Sequence, residues 1–165
     1  MFAVIIELIL FSELIKAEEL PGGAFSLQET YQDWRISYRR TPKVVCAISQ
    51  QQTQQDGRRV RAVELQEDTG DAVSGTLVLP FGLQLGRGII LQIDDTAALP
   101  FRFSTCIPAG CLVPLKFDGE TVAAFREGST LGVKAQSINA RELTFSVSLK
   151  GFTAARERLK ALVGT

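Results

Sequence analysis

Polar and apolar residues alternate with a period of two over much of this chain, the pattern of strands that bury one face. From Gln32 to Arg39, Trp34, Ile36 and Tyr38 fall on one side and Asp33, Arg35, Ser37 and Arg39 on the other. That alternation predicts a half-buried strand with Trp34 in the core. After the break at Arg40-Thr41-Pro42, KVVCAISQQQTQQ predicts a second strand that buries Val45 or Val44 together with Cys46 and runs on into a glutamine-rich arm. Asp56-Gly57 supplies a hairpin turn, a pair that accepts the positive φ values such turns require, and RRVRAVELQE returns. GTLVLPFGLQLGRGIILQIDD is β-rich, divided by Pro80, Gly82, Gly86 and Gly88, with Leu77, Leu79, Ile89, Leu91 and Ile93 as inward positions. TLGVKAQS and RELTFSVSLKG predict two more strands around Asn139-Ala140, and Leu143, Phe145, Val147 and Leu149 share a face of the second.

Two segments follow a helical period instead. Asp118 caps ETVAAFREG, where Val122 and Phe125 share a face and Gly128 ends the helix. Towards the C-terminus, Phe152, Ala155, Leu159 and Leu162 form a stripe that predicts a last helix packed on the sheets. The fold class expected is all-β: an antiparallel β-sandwich or barrel-like single domain with a short internal helix and a C-terminal helix. Residues 31–165 make up that domain, and residues 20–30, rich in glycine and small polar groups, read as a flexible lead-in.

Residues 1–19 read as a degenerate signal peptide or N-terminal leader. The apolar run from Phe2 to Phe11 is broken by Glu7 and is shorter than the span of about 20 residues a membrane helix needs. Ala17 offers a cleavage position, but no Lys or Arg precedes the apolar run. An amphipathic helix, or a start codon placed wrongly, are the competing readings.

Around Cys106 and Cys111 the sequence reads PFRFSTCIPAGCLVPLKF, two apolar runs flanking an Ile-Pro-Ala-Gly turn. Pro108 fixes φ and Gly110 tolerates positive φ, so a hairpin brings the two cysteines together. A disulfide is the natural reading, worth only about 2 kcal/mol for so small a ring, and two buried thiols are the alternative. Phe101, Phe103, Ile107, Pro108, Ala109 and Gly110 are the candidate partner contact, because apolar residues on a fixed turn can anchor a partner.

Composition narrows the chemistry. Of 165 residues, 45% are hydrophobic, enough for one sizeable core. Eighteen basic and eighteen acidic residues leave no net field to draw nucleic acid onto the surface. Histidine is absent, which removes Ser-His-Asp and Cys-His nucleophiles, imidazole metal ligands and the commonest general base. The glycines at 82, 86 and 88 lack the Gly-Lys-Ser/Thr ending of a phosphate loop, and Asp94-Asp95 reads as a turn rather than a calcium site. No metal or cofactor is expected. Arg39, Arg40, Lys43, Arg58, Arg59 and Arg61 form one basic cluster, read as edge charges that block sheet association, with an anionic glycan or lipid headgroup as the other reading. A His-free hydrolase would have to use a Ser-Lys pair, or carboxylates such as Asp94 and Glu120. A chaperone-like module would bind through strand edges.

Several segments together resemble one family. LPGGAFSLQETYQDW, GTLVLPFGLQL, GIILQIDD, PFRFSTCIPAGCLVPL and FSVSLKGFTAA are similar to the invasion-associated locus B family of Gram-negative envelope proteins, over roughly Leu20 to Leu162. The Cys106–Cys111 hairpin and Ser148-Leu149-Lys150-Gly151-Phe152 carry the resemblance most specifically. It implies an exported, β-rich protein of the periplasm or cell envelope with no enzymatic activity, binding an envelope component or contributing to host-cell interaction. Its partner would be an unknown protein or envelope component, with no transmembrane span and at most peripheral association. Members often carry a cysteine four residues after the tryptophan, where this chain has Tyr38. That departure leaves Cys46 without its implied partner, buried as a small hydrophobe or linked between molecules.

Overall fold

The computed structural model describes residues 25–40, 43–53 and 59–164, so the leader over 1–19 and the Asp56-Gly57 turn lie outside the described residues. Strands β1 (Ser26–Tyr31), β2 (Trp34–Arg39), β3 (Val45–Thr53), β4 (Arg59–Glu67) and β5 (Val73–Leu79) run as an antiparallel meander. The chain then crosses over to lay down β6 (Ile89–Ile93) and β7 (Leu99–Phe101), and returns as β8 (Thr105–Ile107) and β9 (Gly110–Phe117). Helix α1 (Gly119–Glu127), strands β10 (Thr130–Gln136) and β11 (Glu142–Ser148) and helix α2 (Phe152–Val163) complete the order. A seven-stranded sheet, β1-β2-β3-β4-β5-β9-β8, faces a four-stranded sheet, β11-β10-β6-β7, and every strand pair is antiparallel. The fold is therefore a β-sandwich with two helices.

Core residues follow the alternation. Trp34, Ile36 and Tyr38 from β2 meet Cys46 and Ile48 from β3, Val63 and Leu65 from β4, Leu77 and Leu79 from β5 and Val113, Leu115 and Phe117 from β9. Ile89, Leu91, Ile93, Leu131, Val133 and Val147 close the core from the smaller sheet. Helix α2 covers the part of the large sheet formed by β1, β2 and β3, burying Phe152, Ala155 and Leu159 there. Asp118 caps α1 by accepting the Thr121 N–H at 2.8 Å. Five rings connect the two layers edge to face: Trp34–Phe152 at 5.3 Å, Phe152–Phe125 at 5.2 Å, Phe125–Phe117 at 5.0 Å and Phe117–Phe101 at 5.6 Å. Each such contact contributes about 0.5–1.5 kcal/mol beyond burial.

Polar side chains fix α2 in place. Arg156, only 3% exposed, donates to both carboxylate oxygens of Glu67 at 2.8 and 3.0 Å and to the Asp71 carbonyl at 2.9 Å. Arg158 makes a second forked pair with Glu29, at 2.9 and 3.1 Å, and Lys160 pairs with Asp71. At the start of the helix, the Trp34 indole N–H and the Gln50 amide both donate to the Ser148 carbonyl, while Gln50 Oε1 accepts the Ser148 N–H. Gly151 has φ 85°, and a Cβ there would lie 2.1 Å from the Tyr31 carbonyl oxygen. The Ser148–Phe152 segment is thus a junction between β11, α2 and the β1–β2 turn.

Four readings change. Residues Ser26 to Thr30 are not a flexible lead-in but most of β1, because Leu27, Glu29 and Tyr31 alternate in register with β2. Val44 and Val45 stay 54% and 49% exposed, since the parity that buries Cys46 and Ile48 turns Val45 outward. Leu143 is exposed because β11 is an edge strand, and burial along it rises only towards Val147. Among its described members the basic cluster is not collected at one end, and Arg58 lies outside the described residues. Arg39, Arg40 and Lys43 lie about the β2–β3 connection, whereas Arg61 pairs with Gln52 at the far end of β3.

Candidate functional site

Strand β8 is three residues long because Pro108 and Ala109 reverse the chain at once, and Ile107 pairs directly with Gly110. The reversal puts Cys106 opposite Cys111, with Cα atoms 3.9 Å apart, and the two are disulfide-bonded. Gly110 has φ 137°, and a Cβ there would lie 2.5 Å from the Leu79 carbonyl oxygen, so the turn sits tight against β5. Cys111 is buried beside Leu79, while Cys106 faces solvent at the sheet edge. Ser104 adds a further anchor, its N–H donating to the Leu112 carbonyl at 2.9 Å. Beyond the Thr105–Leu112 pair β8 ends, and Pro114 stands on the bare stretch of β9, where a missing N–H discourages a foreign strand.

The six candidate contact residues divide into two groups. Ile107 is 43% exposed, and Pro108 and Ala109 are exposed beside it, forming an apolar tip. Phe101 and Phe103 are half-buried against the core, with Phe101 ending the ring series on Phe117, and Gly110 is buried. These three hold the base of the hairpin, and the tip alone faces outward.

Titratable groups elsewhere show what the protein's chemistry favours. Among the described residues, every carboxyl with a displaced pKa is displaced downward: Glu29 by its hydrogen bonds from Arg158, Asp71 by Lys160, Asp68 by the Thr69 backbone N–H and Asp118 by the Thr121 backbone N–H. A general acid at neutral pH needs the opposite displacement. Asp94 accepts the backbone N–H groups of Ser129 and Thr130 at 2.8 and 3.0 Å and so staples two loops, and Glu120 is an exposed residue in the first turn of α1. Cys46 is buried and unbonded, and burial pushes its thiol up to about 11. Directly across the ladder from it stands Tyr38. Among the described residues, no group of three or more His, Cys, Asp and Glu is placed to hold a metal ion, and no helix is long and apolar enough to cross a membrane.

Sequence reasoning missed the two groups that make α2 part of the sandwich. Gln50 read as one glutamine of a solvated arm, yet it clasps the backbone of Ser148. Arg156 stood within an otherwise ordinary helical stripe, yet it is buried on Glu67. The one advance signal was the specificity of the Ser148–Phe152 segment.

Comparison with known proteins agrees with this architecture. Residues 34–160 match the family model described as invasion associated locus B protein. An invasion protein B homologue of Brucella abortus (strain 2308) is 45% identical over 149 residues, 88% of this chain and 86% of that protein. Invasion protein B of Bartonella bacilliformis is 33% identical over 87% of this chain and 80% of its own. The crystal structure of invasion associated protein B from Bartonella henselae superposes with a TM-score of 0.78 at 35% identity, covering 85% of this chain and 100% of that one. With the family model matched over residues 34–160 and relatives up to 45% identical across most of both chains, the chain belongs to the invasion associated locus B family.

Proposed function

We propose that this protein is a non-enzymatic binding module, exported to the periplasm or cell envelope, that contacts an envelope component or takes part in interaction with a host cell. The observation that carries the reading is the disulfide-closed hairpin, which holds Ile107, Pro108 and Ala109 outward at the open edge of the large sheet. A rigid apolar tip of this kind loses little conformational freedom on docking, which is how preorganised surfaces gain affinity. Relatives named for invasion fit a surface-recognition role, and the downward displacement of the carboxyls fits a protein that does not turn over substrate.

A photo-crosslinking residue in place of Ala109, in intact cells, should capture one discrete partner. The same residue in place of exposed Lys134 on the smaller sheet should not capture it. Ile107→Asp should abolish capture without changing secretion or folding. Equal capture from both positions, or capture that survives Ile107→Asp, would refute the tip as contact surface. A fusion to an enzyme active only after export tests localisation in the same cells.

A further inference from the structure

The outward face of β1, β2 and β3 is built differently from the hairpin tip. The register sets three cross-strand rows there: Ser26, Arg39 and Val45; Gln28, Ser37 and Ala47; Thr30, Arg35 and Ser49. Two exposed arginines thus stand at either end of a short row of small side chains. Ala47 is only 4% exposed and Ser37 is half-buried although both lie on the solvent face, so the longer neighbours rise around a low floor. Around the Arg35 end, short of Arg39, the surface forms an open depression of ≈ 260 Å³, whose lining includes Gln28, Thr30, Arg35, Ser37, Ser49 and Gln51. Asp33 also borders it, on the β1–β2 turn.

These arginines do not protect an edge. Strand β1 covers β2, so Arg35 and Arg39 project from the interior of a sheet rather than its rim. No carboxylate among the described residues forms an ion pair with either. Arg40 and Lys43 are exposed near the Arg39 end and add positive charge there. Arg39 lies four residue steps along the strand from Arg35, a span of about 13 Å. Guanidinium groups bind phosphate through two parallel N–H donors, and the hydroxyl and amide side chains between them suit the hydroxyls of sugar rings.

We propose that this face binds an acidic glycan, a disaccharide unit carrying a phosphate at each end, with Arg35 and Arg39 each gripping one phosphate and Ser37, Gln28 and Ser49 meeting the sugar hydroxyls. The site is separate from the hairpin tip and goes beyond the reading of that tip as a protein contact.

Isothermal titration of the purified protein tests it with three probes: a glucosamine disaccharide phosphorylated at both ends, the same disaccharide without phosphate, and inorganic phosphate. The bisphosphorylated sugar should bind and the other two should bind at least about ten-fold more weakly, because neither offers two charge-assisted contacts on one frame. Arg35→Ala and Arg39→Ala should each weaken binding about ten-fold or more, Arg35→Lys should weaken it less than Arg35→Ala, and Lys134→Ala on the other sheet should leave it unchanged. Both arginines are exposed, so thermal melts of the variants should match the parent. Absence of binding, equal binding of inorganic phosphate, equal binding of the unphosphorylated disaccharide, or an affinity untouched by Arg35→Ala and Arg39→Ala would each overturn the proposal. Those outcomes would leave the Ala109 crosslinking result standing, since that experiment reads a different surface in cells.

Discussion

Replacing Glu67 with alanine should destabilise the protein severely, because it strands a guanidinium in the core. Arg156 is 3% exposed, and its side chain has two partners, the Glu67 carboxylate through two hydrogen bonds and the Asp71 carbonyl through one. The Asp71 carboxylate lies 3.6 Å away but is 71% exposed, so water screens what it can supply. Breaking a buried pair from one side costs about 3–5 kcal/mol, against a total stability of roughly 5–15 kcal/mol for a domain. At this chain length each kcal/mol moves the midpoint of melting by about 2–4 °C, so the fall should be roughly 6–20 °C. Urea unfolding followed by circular dichroism gives the free energy directly. Glu67→Leu combined with Arg156→Met should recover half or more of the loss, since two apolar groups of similar size leave no orphan charge. A single replacement that costs less than about 1 kcal/mol, as an exposed ion pair would, refutes the reasoning. So does a double variant as unstable as the single one, which would place the cost in lost packing rather than in the stranded charge.

Three further outcomes are expected. Tyr38→Cys places a second cysteine directly across the antiparallel ladder from Cys46, and oxidation should join them, seen as the loss of both thiols to alkylation under denaturant; two alkylated thiols would contradict the register. In the parent protein, Cys46 should resist iodoacetamide at neutral pH and react fully in guanidinium, because burial both shields the thiol and holds it protonated up to about pH 11. Stability should be level above about pH 5 and fall as acid is added: Glu29 has a native pKa below its ordinary 4.5, so its contribution is complete above that value and is lost as pH drops through the native one. Glu29→Gln should flatten that part of the pH–stability curve, and an unchanged acid limb would show that the Arg158 pair contributes nothing.

Short-range patterns were legible in the sequence, and long-range pairings were not. Trp34, Ile36 and Tyr38 could be assigned inward because a strand alternates whatever lies beside it, and Asp118 could be assigned as a cap because its partner, Thr121, is three residues away. The cysteine hairpin needed only the turn chemistry of Pro108 and Gly110. By contrast, Gln50 meets a backbone 98 residues away and Arg156 a carboxylate 89 residues away, and nothing in the spacing of either announces its partner. The basic cluster failed for the same reason: closeness in sequence across β3 became separation in space once the strand ran its full length. Arg35, left out of that cluster, took its significance from β1, whose pairing turned an apparent edge into an interior face.

Trp34 is the single tryptophan of the chain, and its ring packs on Phe152 while its indole N–H is bound to the Ser148 carbonyl. Its fluorescence is therefore a native optical reporter on one seam, where the first residues of α2 meet β2. Lifting of the C-terminal helix would let water reach the indole and shift its emission to the red while the strands, and their circular dichroism, stayed intact. The protein can thus distinguish, without any label, the undocking of one helix from the loss of the whole sandwich.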